Sequence, residues 1–244
     1  MSNIVNDVHD KLSGPLEEAY RVLRTNIQFY GIDKVIKTLT ITSCNPGEGK
    51  TTTSINLAIS LAKSGIKVLL IDADLRKPAL AKHLGVINSA GISNYILGHA
   101  EFGEVINSTN IDNFYFVTCG PKPPNPTELV GSLTFTEFLK TAEEKFEMII
   151  IDTPPLGSVI DCAVIAAQTD GVIMVIEAKN VAYQQAQRVK EQLEKVGAKI
   201  LGVVLNKVKR DDYRYYYNYY NYYGSKSKSE KKISGLKRIF AAGR

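Results

Sequence analysis

The run Thr40-Ile41-Thr42-Ser43-Cys44-Asn45-Pro46-Gly47-Glu48-Gly49-Lys50-Thr51-Thr52-Thr53 passes from an apolar strand-like stretch through a glycine loop into a helical stretch, Ser54 to Lys63. A strand, a glycine turn and a helix in that order form a phosphate-binding loop. Gly47 and Gly49 let backbone N–H groups turn inward around phosphate oxygens, and the helix start adds a positive dipole. Lys50 has the reach to bridge the outer phosphates, and the Thr51 hydroxyl suits Mg²⁺. With no phosphate in the loop, Lys50 is expected to be exposed. Cys44 stands where the general pattern has its first glycine.

Such a loop constrains the rest of the fold. Apolar runs of strand length recur at Thr38 to Thr42, Val68 to Ile71, Phe114 to Thr118, Met148 to Ile151, Val172 to Ile176 and Ile200 to Leu205, with helical segments after most of them. Strands apolar on both faces that alternate with helices predict an α/β fold, a mainly parallel sheet covered by helices on each side, with ligands at the carboxyl ends of the strands. At 244 residues the chain has room for one such domain and little more. The periodic pattern stops near Lys207, so residues 1–206 read as the domain and 207–244 as a flexible tail.

Two of the predicted strands end in acid. Val68-Leu69-Leu70-Ile71-Asp72-Ala73-Asp74 places carboxylates at i and i+2, both aimed into one crevice, and Met148-Ile149-Ile150-Ile151-Asp152-Thr153-Pro154-Pro155 repeats the arrangement with one. An acidic residue after four apolar ones, beside a phosphate-binding loop, is the usual way to hold Mg²⁺ through water. The paired Asp72 and Asp74 point to a cation or a proton to be handled.

Charge is unevenly placed. Residues 207–244 hold 11 of the 30 Lys and Arg but 3 of the 25 Asp and Glu, so the tail carries +8 and the remainder −3. Eight of the 13 tyrosines fall there within 11 positions: Tyr213, Tyr215, Tyr216, Tyr217, Tyr219, Tyr220, Tyr222 and Tyr223. This segment has neither a strand nor a helix period; by composition alone it is low-complexity aromatic sequence. Beyond it, Gly224 to Arg244 sets lysines and arginines among Ile233, Leu236, Ile239 and Phe240. Two readings stay open there, a solvated end and a weak contact with an anionic membrane surface.

There is no secretory signal and no apolar run near the roughly 20 residues of a membrane span, so a cytoplasmic location is expected. The cysteines Cys44, Cys119 and Cys162 are odd in number and lack metal spacing, in keeping with a reducing compartment. Near the N-terminus, a helix over about 15–30 is predicted to pack Leu16, Tyr20, Leu23 and Ile27 inward. Glu18, Arg21 and Arg24 then form one outward stripe, which by itself is only a solvated Glu/Arg face.

Taken together, the phosphate loop Pro46 to Thr51, the acidic motifs ending in Asp72-Ala73-Asp74-Leu75-Arg76 and Asp152-Thr153-Pro154-Pro155, the Glu18-x-x-Arg21-x-x-Arg24 helix and the tyrosine cluster resemble the bacterial tyrosine kinases, in particular the cytoplasmic capsular-polysaccharide autokinases of Gram-positive bacteria. The resemblance spans nearly the whole chain and implies a P-loop fold of the deviant-Walker, ParA/MinD-like kind. It implies ATP as donor, with Pro46, Gly47, Glu48, Gly49, Lys50, Thr51 and Thr52 around the nucleotide. Lys50, Asp72, Asp74 and Asp152 would be catalytic, with Thr51, Asp74 and Asp152 toward Mg²⁺. Asn206 resembles a base-contacting asparagine of related ATPases. The eight clustered tyrosines would be the phosphate acceptors, and Glu18, Arg21 and Arg24 would build a ring-like homo-oligomer, an octamer by resemblance, in which one tail enters the neighbouring site.

The resemblance also implies a membrane adaptor that activates the kinase and recruits it to the inner face of the membrane, and a cognate tyrosine phosphatase. No nucleic-acid partner is expected. One feature departs from the family pattern, the 21-residue basic segment after the tyrosines; Asn45, for its part, stands where the positioning ATPases of the ParA/MinD kind carry an extra lysine, which this chain lacks. Those ATPases are the alternative reading, and a nucleotide-binding scaffold without catalysis is a third.

Overall fold

The computed structural model describes residues 5–6, 8–10, 12–30 and 35–208. The tyrosine cluster and the basic segment after it lie outside the described residues. The elements follow in the order β1 (Val5–Asn6), α1 (Gly14–Tyr30), β2 (Thr38–Ser43), α2 (Lys50–Lys63), β3 (Val68–Asp72), α3 (Leu80–Leu84), α4 (Ile92–Ile96), α5 (Phe102–Val105), β4 (Asn107–Thr109), β5 (Phe114–Val117), α6 (Pro126–Val130), α7 (Leu133–Lys145), β6 (Met148–Asp152), α8 (Asp161–Ala166), β7 (Gly171–Glu177), α9 (Tyr183–Lys195) and β8 (Ile200–Asn206).

All six predicted strands are present, in one sheet of order β1-β4-β5-β3-β6-β2-β7-β8. Every pairing is parallel except β4 with β5. The strands β1 and β4 were not foreseen. They are two and three residues long, too short for a period to show.

The central strands are buried on both faces, as a parallel sheet requires. On β3, Val68 and Leu70 pack with Leu57 and Leu61 of α2, while Leu69 and Ile71 pack on the other face with Phe135, Phe138 and Leu139 of α7. Each such Leu, Ile or Phe contributes about 1.5–3 kcal/mol by leaving water. Register then does the positioning: Asp72 of β3 lies opposite Asp152 of β6, and Asp152 lies opposite Ile41 of β2. The carboxyl ends of three adjacent strands therefore meet where β2 runs into the phosphate-binding loop.

The helix α2 starts at once after Gly49, whose φ of 94° is a left-handed conformation that glycine adopts without strain. A Cβ at Gly49 would also run into the side-chain amide of Asn206. At its other end α2 stops in a Schellman turn: Gly65 N–H bonds to Ala62 O at 2.9 Å and Ile66 N–H to Leu61 O at 3.3 Å.

The helix α1 corrects two expectations. Tyr20 and Ile27 are buried and Leu23 is half-buried, but Leu16 is exposed. Glu18 and Arg21 pair with each other on the outside. Arg24 does not join that stripe, because its Nη1 donates to Ser60 O of α2 at 2.7 Å. The last four carbonyls of a helix lack backbone donors, and a guanidinium there also meets the negative end of the dipole, so Arg24 caps the helix that carries the phosphate loop.

Candidate active site

The loop 44–49 is braced from within. Glu48 is a buried carboxylate; its Oε2 accepts from Cys44 N–H at 2.9 Å and its Oε1 from Asn45 Nδ2 at 3.1 Å. Gln185 Nε2 of α9 donates to Asn45 Oδ1 at 2.6 Å, and Asn206 Nδ2 donates to Glu48 O at 2.8 Å. The side chains of Glu48 and Asn206 thus hold the loop, whereas Pro46, Gly47 and Thr52 face solvent. Cys44 takes the first glycine position as a buried thiol, pushed up to about 11 by burial and then by Glu48, so it stays neutral.

Lys50 departs from expectation as well. Rather than standing exposed, its ammonium lies 3.3 Å from Asp74 Oδ2, with the side chain only 12% exposed. Burial alone would depress its pKa; the Asp152 and Asp74 carboxylates outweigh burial and raise it. These carboxylates balance the lysine's charge.

Asp152 is fully buried at the end of β6 and accepts from Thr51 Oγ1 at 2.6 Å and from Ser54 Oγ at 3.4 Å. Burial raises its pKa, against the opposing pull of Lys50 and Thr51. Ser54 was passed over in the sequence; its signal was its place one turn after Lys50 in a helix whose first turn faces the site.

Asp72, fully buried as well, has both oxygens occupied by backbone donors: Oδ1 accepts from Asp74 N–H at 3.2 Å, and Oδ2 from Ala79 and Leu80 N–H at 3.2 and 3.0 Å. It orders the loop 73–79 and the start of α3. Burial first, and Asp152 second, push its pKa up to about 7. Asp74 Oδ1 accepts from Lys77 N–H at 2.9 Å, which leaves Oδ2 toward Lys50.

The structure thus brings Lys50, Thr51, Asp72, Asp74 and Asp152 together at one crevice. Glu18, Arg21 and Arg24 lie on α1, and Asn206 touches the far side of the loop. The Thr51 hydroxyl beside the Asp152 carboxylate is a hard, all-oxygen pair that fits Mg²⁺, an ion that takes few protein ligands and completes its shell with phosphate oxygens and water. A carboxylate near neutrality and a lysine next to a phosphate loop suit phosphoryl transfer, which asks for positioning and charge neutralisation more than covalent help.

A parallel sheet with a phosphate loop at the end of a central strand and acids at the ends of its neighbours defines a P-loop nucleotide-binding protein, and a family model described as an AAA domain matches residues 36–206. Within that class the chain belongs to the bacterial tyrosine-protein kinases. It is 45% identical over 195 residues to the tyrosine-protein kinase CpsD of Streptococcus agalactiae, covering 79% of this chain and 83% of that one. Among solved structures, the chimerical protein CapA2B2 superposes with a TM-score of 0.79 at 34% identity, covering 85% of this chain and 95% of that one. The cell division ATPase MinD of Pyrococcus furiosus shares the fold at a TM-score of 0.62 and 29% identity, over 72% of this chain and 74% of its own.

Proposed function

We propose that this chain is an ATP-dependent, Mg²⁺-requiring protein-tyrosine autokinase that phosphorylates its own tyrosine cluster, Tyr213 to Tyr223, in trans within a homo-oligomer. The observation that carries this reading is the convergence of Lys50 with three carboxylates beside the phosphate loop, in a chain that holds eight tyrosines in 11 positions. Residues 1–206 act as the kinase domain and 207–244 as the acceptor tail. When bound, ATP would supply the γ-phosphoryl group, with ADP as the leaving group, and Mg²⁺ would offset the developing charge. Lys50 would turn from Asp74 to the outer phosphates, Thr51 and Asp152 would hold the metal with Asp74 alongside, and the loop amides from Gly47 to Thr52 would receive the phosphate oxygens. A phenol of pKa about 10 is a poor nucleophile at neutral pH, so Asp72 serves as base or orienter for the hydroxyl, whose proton leaves late as the new bond forms.

Incubating the full chain with Mg²⁺ and labelled ATP is expected to place label within 213–223, and changing all eight clustered tyrosines to Phe is expected to remove it. ADP formation without labelled tyrosine would instead establish the alternative, a ParA/MinD-like positioning ATPase. Against that alternative stands Asn45, which occupies the position of the second lysine of that class and spends its side chain on Glu48 and Gln185.

The biological setting follows the family. The kinase regulates capsular or exopolysaccharide synthesis and export from the cytoplasm, at the inner face of the membrane, with a membrane adaptor as activator and a cognate phosphatase to reset it. Among the described residues no helix is long and apolar enough to cross a membrane. Self-association uses the half-buried Glu18 and the exposed Arg21, and Arg24 acts differently. Glu18→Ala with Arg21→Ala is expected to give a smaller species by light scattering with little change in melting. Arg24→Ala is expected to lower stability by about 1–2 kcal/mol, the worth of a charged hydrogen bond to a helix end. An unchanged mass in the double variant would return Glu18 and Arg21 to a solvated pair.

A further inference from the structure

Arg76 follows Asp74 by two residues, in the loop that leaves β3. Its Nε donates to Asp161 Oδ2 at 2.7 Å and its Nη2 to Asp161 Oδ1 at 3.1 Å, a two-point fork. The same Nη2 donates to Thr127 Oγ1 at 3.0 Å, and that hydroxyl donates to Asp161 Oδ1 at 2.6 Å. Asp161 is the first residue of α8, where the segment that leaves β6 after Asp152 ends, and its side chain is only 2% exposed. Burial alone would raise its pKa; the hydrogen bonds from Arg76 and Thr127 outweigh burial and hold it below the usual carboxylate range.

One ion pair therefore ties the loop after the first acidic strand to the helix after the second, with α6 as a third attachment. An exposed pair would contribute little, but a bidentate fork on a buried carboxylate fixes geometry, and removing one partner leaves the other charge uncompensated. Nothing in the chemistry assigned to Lys50, Thr51, Asp72, Asp74 or Asp152 uses Arg76, Asp161 or Thr127.

We propose that the Arg76–Asp161 fork is a positioning device for phosphoryl transfer, which sets the separation of Asp74 and Asp152 so that the metal-binding and lysine-binding carboxylates are in place before the nucleotide arrives. This rests on the phosphoryl-transfer reading above. Arg76 and Asp161 touch neither substrate nor metal; they act through the two loops. Because displacements near 1 Å cost about 10²-fold in such reactions, loosening the fork slows turnover in a chain that still folds.

The test uses the full chain and follows ADP formation and labelled tyrosine together, at varied ATP and varied Mg²⁺. Arg76→Lys keeps the charge and loses the fork. It is expected to lower kcat by roughly 10- to 100-fold and raise the half-saturating Mg²⁺ several-fold, with a smaller change in the KM for ATP. Arg76→Ala, Asp161→Ala and their double variant are expected to be non-additive, the double no slower than the slower single, as members of one unit behave. Where these variants fail to fold, Thr127→Val, which removes only the third member, is expected to move half-saturating Mg²⁺ in the same direction.

If folded Arg76→Lys and Thr127→Val chains both kept wild-type kcat and half-saturating Mg²⁺, with only the melting temperature lowered, the fork would be structural and the proposal overturned. The kinase reading fails separately, on a wild type that forms ADP and labels no tyrosine, and the fork is then still judged on ADP formation.

Discussion

A Lys50→Met chain is expected to transfer phosphate about 10² to 10³ times more slowly than wild type, the usual cost of removing one charged group aimed at a developing negative charge. The structure adds a second effect. Lys50 is the counter-charge to Asp74 and lies within the field of Asp152 and Asp72, two fully buried carboxylates. Without the lysine those acids hold their protons more tightly, so their folded-state pKa values rise further above the unfolded value. A group of that kind stabilises fully below its unfolded pKa, and the contribution is lost as pH rises through the folded one. The metal-free variant should therefore lose stability more steeply than wild type between about pH 5 and 8, as read from denaturant midpoints at several pH values. Unchanged label incorporation in a folded Lys50→Met chain would sink the assignment of Lys50 to phosphate.

Asp72→Asn is expected to lower transfer by about 10²- to 10⁴-fold, the range for loss of a general base, with a smaller effect on ATP binding. Part of that loss is loop order. Asn offers one carbonyl oxygen where Asp72 offers two, and it cannot accept from Asp74 N–H on one side and from Ala79 and Leu80 N–H on the other. The pH dependence of stability separates the two contributions.

In wild type Asp72 carries a pKa near 7 against a usual value near 4. Its stabilising contribution is present below about pH 4 and is lost as pH rises through about 7, so the metal-free protein should weaken across that window. Asn does not titrate, and the slope should flatten in Asp72→Asn. A variant with the wild-type slope would show that Asp72 is ionised well below neutrality and is not poised as a base. An Asp72→Asn chain that lost only ATP affinity and kept full turnover at saturation would remove it from the chemistry altogether.

Local sequence determined much of this site. Gly47, Gly49 and Lys50 between a strand and a helix specify the loop because glycine conformation and helix polarity act over a few residues. The runs Val68 to Ile71 and Met148 to Ile151 specify central strands because burial on both faces needs an unbroken apolar run. Asp72 and Asp152 at the ends of such runs had to emerge at the carboxyl edge of the sheet. Tyr20 and Ile27 turned inward on α1 as their spacing predicts.

Only the tertiary structure decided how these groups meet one another. Strand order placed β6 between β2 and β3, and register set Asp72 opposite Asp152. Two buried carboxylates brought together in this way need a cation, which is why Lys50 turns to Asp74 rather than to solvent. Arg24 left its stripe because the Ser60 carbonyl at the end of α2 came within reach, an attraction between residues 36 positions apart that helical spacing cannot show. Asp161 shows no local pattern that marks it. It becomes the partner of Arg76 because the segments leaving two strands adjacent in the sheet but far apart in the chain fold back toward each other, and a buried carboxylate there must be met by a fixed positive charge.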